Sequence, residues 1–219
     1  NLRISNVFAL KRCVSVKITQ IKQQVKNLDR VSIFLDGKYT FSLTLDQLLN
    51  ERLKKEDELD EQRVKELKKL SDEGKIRARA LEWLLSRPHS TREFRDYLYR
   101  KKAEKDHIEA LVEEFTDRKY LNDEAFAKWF TELRQRKNKS SRAIKSELFS
   151  KGISPVTIQN IVTDNDGVSY ETEALIKLVN KLSTRPRYSD SNKLTAYLIG
   201  KGFSYGNIKQ VLSDRDDES

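Results

Sequence analysis

The chain has 219 residues, 43 Lys and Arg against 34 Asp and Glu, a net charge of +9 and one cysteine, Cys13. Glycine and proline make up about 5% of it, against roughly 12% in ordinary proteins, too few for the frequent turns of an all-β sandwich or barrel. Apolar residues reach only 37% and charged residues 35%, which favours several small cores over one large one.

The lone cysteine excludes a disulfide framework or a multi-cysteine zinc site. No apolar run approaches the ~20 residues of a membrane span, and the first residues lack a signal-peptide pattern. These features point to a soluble, cytoplasmic, mainly helical protein with a polyanionic partner.

The first third is the β-like part. Val31 to Leu35 and Tyr39 to Leu43 flank Asp36-Gly37, a hairpin signal because both turn residues take positive φ. Tyr39, Phe41, Leu43 and Leu45 alternate with Thr40, Ser42 and Thr44, giving one apolar face. Ile18 to Val25 is predicted as a third strand. Thr44 and Gln47 have capping-box spacing and open a helix. Glu51 to Glu61 reads as a charged linker, with Asp60 capping a further helix and Gly74 ending it.

Beyond Gly74 the chain repeats itself at an offset of fifty residues. Leu98, Leu148 and Leu198 align; so do Phe94, Ile144 and Leu194, and Lys101, Lys151 and Lys201. Ile108, Ile158 and Ile208 align, as do Leu111, Ile161 and Val211. Gly152 and Gly202 sit where a left-handed residue ends a helix, and Ser154 and Ser204 are placed to cap the next one. Helical spacing in each unit predicts three helices. The expected organisation is an N-terminal extension over 1–73 and three-helix repeats over 74–122, 123–168 and 169–219, forming an elongated, curved array.

The segments Ser90 to Lys101 (STREFRDYLYRK), Lys119 to Ala127 (KYLNDEAFA) and Glu147 to Ile153, with the hairpin around Leu35-Asp36-Gly37, resemble the bacterial RecX regulators of the RecA recombinase. The resemblance runs from about Ile18 to about Leu212. It implies tandem three-helix repeats behind a small β-containing extension, and a cytoplasmic, monomeric regulator without catalysis or cofactor. Its implied partners are the RecA filament and single-stranded DNA, with suppression of RecA ATPase, strand exchange and co-protease activity in DNA repair and the SOS response. The first repeat departs from the others, with Lys102-Ala103 where they carry glycine, so its helix end is expected to be built differently.

Two stretches concentrate positive charge. Residues 134–151 hold Arg134, Arg136, Lys137, Lys139, Arg142, Lys145 and Lys151 against Glu147 alone. Residues 75–102 hold nine cations against three acids and end in Arg100, Lys101 and Lys102. With Lys201, these form the candidate surface for RecA or DNA, since clustered cations attract phosphate and acidic surfaces. The blander reading is a solvated helix face, and for Lys101, Lys151 and Lys201 a favourable end for the helix dipole.

Tyr97, Trp129 and Tyr197 at helical spacing read as core residues before base-stacking platforms. His89 and His107 have no companion at ligand spacing. The carboxylates from Glu56 to Glu61 are a remote candidate for a magnesium-dependent nuclease, and no phosphate loop of the GxxxxGK[ST] type occurs. The acidic tail from Asp214 to Glu218 reads as a frayed end. The alternative function is a stand-alone DNA-binding module of helix-turn-helix-like units, which predicts sequence preference without any protein partner.

Overall fold

The computed structural model describes residues 15–163 and 167–217; Cys13 and Glu218 lie outside them. The chain divides into two compact units, residues 1–81 and 82–219.

In the first unit, β1 (Val16–Gln23), β2 (Arg30–Leu35), β3 (Lys38–Thr44) and β4 (Glu58–Leu59) form an antiparallel sheet in the order β3-β2-β1-β4. The β2–β3 turn is the expected one, with Asp36 at φ +47° and Gly37 at φ +79°. Ile18, Val31, Ile33, Leu35, Phe41, Leu43 and Leu59 fill one face. The strict alternation through Tyr39 fails, because the register slips between Ile33 and Phe34. This bulge turns Tyr39 onto the other face, edge-on to Phe34 and 54% exposed. Thr44 and Gln47 close the capping box of α1 (Leu45–Asn50).

Two expectations are corrected. The charged linker contains β4, anchored by Leu59 and by the Ile18–Asp57 and Glu56–Ile18 backbone bonds of 2.9 and 2.8 Å. And α2 (Glu61–Leu85), capped by Asp60, runs unbroken through Gly74. A side chain at residue 74 would meet the Gln47 amide at 2.9 Å, so glycine there serves the close approach of α1 rather than a helix end. Leu67 of α2 completes the core of the sheet.

The second unit begins in the last turn of α2 and continues with α3 (Thr91–Arg100), α4 (Lys105–Asp117), α5 (Asp123–Gln135), α6 (Ser141–Ser150), α7 (Pro155–Thr163), α8 (Gly167–Ser183), α9 (Ser191–Gly200) and α10 (Tyr205–Asp217). The fifty-residue register is a structural register. Each of α3, α6 and α9 buries its aligned Phe94, Ile144 or Leu194 and its Leu98, Leu148 or Leu198. The following helix buries Ile108, Ile158 or Ile208 with its partners one turn on. The second and third repeats have separate small cores around Phe126–Ile144–Ile158 and Leu175–Leu194–Ile208.

Ser154 and Ser204 cap α7 and α10 as expected, accepting from Thr157 and Asn207. The helix end of the first repeat is built like the other two, against expectation. Lys102 takes φ +61° where Gly152 and Gly202 take +82° and +92°. Its amide, and that of Ala103, bond to Tyr99 and Leu98 just as the aligned residues do in the other repeats. The acidic tail is helical as far as Asp217, with the Arg215 guanidinium donating to Ser183 Oγ at 2.7 Å.

Candidate partner-binding surface

The joints between repeats decide which side chains are engaged, and a capping serine hydroxyl sets each one. Ser90 caps α3 by accepting from the Glu93 amide at 3.1 Å, and donates to the carbonyl of Lys151 at 2.8 Å. Ser140 caps α6 by accepting from Ala143 at 3.2 Å, and donates to Lys201 at 2.8 Å. A serine hydroxyl holds both bonds because it is donor and acceptor at once. The start of one middle helix therefore meets the end of the next. Gly152 and Gly202 complete these contacts: an added Cβ would lie 2.9 Å from Arg92 Cβ at the first and 2.6 Å from Ser140 Oγ at the second.

Around the first joint the side chains are charged. The half-buried Glu93 accepts from Lys151 at 2.8 Å and Arg87 at 3.1 Å. Burial pushes its carboxyl up, but these two cations outweigh it and hold the group below the usual carboxylate range. His89 is buried against Glu93, with Nδ1 3.3 Å away, and stacks on Trp83 at 3.4 Å between ring centroids. Burial and then the nearby Arg87 charge lower its pKa, although Glu93 and the Trp83 carbonyl oppose this. The Thr91 amide donates to Asp123 at 2.7 Å.

This arrangement sorts the predicted basic residues. Arg134 lies 4.5 Å from the Phe130 ring centroid and donates to Glu147 at 2.6 Å, with Lys139 3.7 Å from the same carboxylate. Lys151 is held by Glu93 at the joint. Lys145 reaches Gln159 at 3.5 Å. Lys101 and Lys201 lie over the rings of Tyr97 and Tyr197 on their own helices, at 5.4 and 5.1 Å. Arg136 has a 3.8 Å contact to Glu132 and a side chain 79% exposed. Lys137, Arg142, Arg100 and Lys102 are exposed and have no side-chain partner among the described residues. The two basic stretches thus each keep solvent-facing cations, Arg136, Lys137 and Arg142 in one and Arg100 and Lys102 in the other, while Arg134, Lys139 and Lys151 hold the fold.

The remaining candidates have local partners. Tyr97 stacks on Trp83 at 4.5 Å, Trp129 packs against Phe126 beneath Arg87, and Tyr197 meets Tyr188 at 5.0 Å. Among the carboxylates, Glu56 pairs with Lys17 at 2.6 Å, Asp57 accepts from the Lys54 amide at 2.7 Å, and Asp60 caps α2. Among the described residues no three His, Cys, Asp or Glu side chains converge as a metal site, and no helix is long and apolar enough to cross a membrane. The pairing of Glu93 with Lys151 of the next repeat, and of His89 with Glu93, was not anticipated from sequence; the spacing of Ser90 and Lys151 carries the signal of the first.

Comparison with known proteins agrees with this architecture. The family model of the regulatory protein RecX N-terminal domain matches residues 16–60, and that of the second RecX three-helix domain matches residues 122–160. The regulatory protein RecX of Bacillus subtilis (strain 168) is 33% identical over 209 residues, covering 92% of this chain and 78% of that protein. The RecX of Bacillus velezensis is 34% identical over 213 residues, 92% of this chain and 80% of that protein. Among solved structures, a crystal structure of regulatory protein RecX aligns with a TM-score of 0.70 and 25% identity, over 90% of this chain and 99% of that one. The RecX of Lactobacillus salivarius aligns at 0.58 and 24% identity, over 66% and 97%.

Proposed function

The chain belongs to the RecX family of regulatory proteins, and from that premise we propose that it binds the RecA–single-stranded DNA filament and inhibits RecA. The observation that supports this most is the extent of the match, which takes in the sheet and all three repeats together. The regulator works by occupancy rather than chemistry. Bound as a cytoplasmic monomer along the filament, it hinders subunit addition and the movements that accompany ATP turnover, and so lowers ATPase, strand exchange and co-protease activity in DNA repair and the SOS response.

The repeats 74–122, 123–168 and 169–219 supply the contact face, and the extension 1–73 precedes it. Arg136, Lys137 and Arg142, with Arg100 and Lys102, face the acidic and phosphate groups of the filament. Cations with no internal partner are the ones available to a polyanion, and their contribution weakens with salt.

The test is RecA's DNA-dependent ATPase against increasing chain concentration, repeated across a salt series. Turnover is expected to fall at stoichiometric chain. Joint reversal of Arg136, Lys137 and Arg142 to glutamate should raise the half-inhibiting concentration about tenfold or more without moving the unfolding midpoint. No inhibition by the parent chain at modest excess rejects the assignment. Sequence-specific DNA binding without RecA would favour the stand-alone DNA-binding module.

A further inference from the structure

The repeats share one more column, and it faces outward. Tyr99, Phe149 and Ile199 follow the buried Leu98, Leu148 and Leu198 at the same fifty-residue offset, and are 52%, 64% and 45% exposed. Scattered exposed hydrophobics are ordinary on a protein surface. These are not scattered. Of the other large exposed hydrophobics of the second unit, Leu85, Val156 and Tyr205 align with polar residues, proline or glycine in the other repeats, and Tyr120 and Ile176 align with Tyr170 and Phe126, which are not exposed.

Because Ser90 and Ser140 make the same bond to the next repeat at both steps, the three residues recur on the same side of successive repeats. Around them most exposed positions are cationic or neutral, Asp96 and Glu104 excepted: Arg92, Arg100 and Lys102 near Tyr99, and Arg142 two turns before Phe149. An apolar centre with a cationic border is complementary to an apolar pocket with an acidic rim.

The third residue decides between the two polymers in a nucleoprotein filament. Base stacking needs a π-face at every contact, and Ile199 has none. An apolar protein pocket accepts aromatic and aliphatic side chains alike. We propose that Tyr99, Phe149 and Ile199 are the knobs by which three successive repeats seat on the repeating protein surface of the filament, while the DNA makes no contact with this row. The assignment rests on the RecA-filament partner proposed above, and names the face and the component it touches.

Two measurements test it on the full chain: half-inhibition of RecA ATPase, and anisotropy of a fluorescent oligo-dT strand without RecA. The variant Tyr99→Ser/Phe149→Ser/Ile199→Ser should lose inhibition about tenfold or more, with oligo-dT binding changed less than about twofold, the bound expected where no base contact is lost. Phe149→Leu should stay within about threefold of the parent, because a hydrophobic pocket discriminates weakly between apolar side chains, while Phe149→Ser falls further. Unchanged inhibition by the triple variant overturns the row alone. A parallel loss of oligo-dT binding, or a Phe149→Leu as weak as Phe149→Ser, overturns the protein assignment in favour of base stacking. A parent chain that leaves the ATPase untouched overturns the filament assignment and the row with it. Phe149→Leu is a mild change at an exposed site, so it carries the test even where the triple variant unfolds.

Discussion

The two joints between repeats use one bond and opposite surroundings. At both, a capping serine donates to a lysine carbonyl at 2.8 Å and a glycine lets the backbones approach. At the first, Glu93 binds Lys151 and Arg87 with His89 beneath it. At the second, Ala143 stands at the position of Glu93, and the Tyr170 hydroxyl reaches the carbonyls of Lys139 and Gln135 at 2.7 and 3.3 Å. The serine bond and the glycine are what the two joints have in common. The surroundings are free to differ, and they give each joint its own response to conditions.

The ends of the series sharpen the point. The first repeat, which follows the sheet unit, has Lys102 where the later ones have glycine, and the third caps α9 with Asp190 where the others use serine. A carboxylate accepts from the α9 amide as well as a hydroxyl does, but it donates nothing onward. Glycine and serine occur together at the two joints, where each meets the adjoining repeat.

The largest expected effect comes from breaking that rule at a joint. Gly202→Ala places a side chain at φ +92° and 2.6 Å from Ser140 Oγ. The left-handed backbone costs about 1–2 kcal/mol and the overlap about 1–3 kcal/mol more. Gly152→Ala should fall in the same range, while Lys102→Gly stays within about 1 kcal/mol of the parent. Urea unfolding of the three variants checks this ordering, and a Gly202→Ala midpoint equal to that of Lys102→Gly contradicts it.

Next is the hydroxyl itself. Ser140→Ala removes a cap, worth about 1 kcal/mol, and strands the Lys201 carbonyl, which adds about 1–2 kcal/mol. Ser90→Ala should match it, despite the charged surroundings of the first joint. Asp190→Ala loses a cap alone and should cost about half as much. Equal losses at all three serine or aspartate positions in the same unfolding series would mean that the onward bonds contribute nothing.

Much of this was legible in the sequence, because the repeat offset aligned the buried columns, the glycines and the downstream serine caps. The hairpin was legible too, since Asp36-Gly37 admits few other conformations. What was hidden depends on contacts that spacing does not encode. Gly74 reads as a stop until Gln47 is seen packed against it. Strand β4 has only Leu59 to betray it among carboxylates and lysines. The site was legible only as an amount of charge. Sequence counts cations and does not show that Arg134 and Lys151 pair with Glu147 and Glu93 while Arg142 and Lys137 stay exposed. The link from Ser90 to Lys151 is one repeat plus the length of a middle helix from cap to cap, so it follows from the register once a head-to-tail order is assumed.

The smallest expected effect is in the pH profile, where the joints should part in opposite directions. His89 is depressed below its ordinary value in the folded chain. Stability is therefore full above the unfolded value of about 6.5 and declines as the pH falls below it, where the unfolded chain takes up a proton that the folded chain resists. Glu93, also depressed, extends the decline through the carboxylate range. Glu171 beside Ser141 behaves in the reverse sense, since burial raises its carboxyl despite Ser141 and Lys145 and acid favours it. Tyr170 is pushed up to about 12 by burial and then by the charge of Glu171, so its contribution holds to about pH 10 and is lost as the pH rises toward 12. Unfolding midpoints from pH 4 to 11 should show a slope that sets in below about pH 6.5, that His89→Gln reduces and that Tyr170→Phe leaves intact. Above about pH 10 the roles should exchange. One acid slope lost equally in both variants would mean that the two joints titrate as a single network.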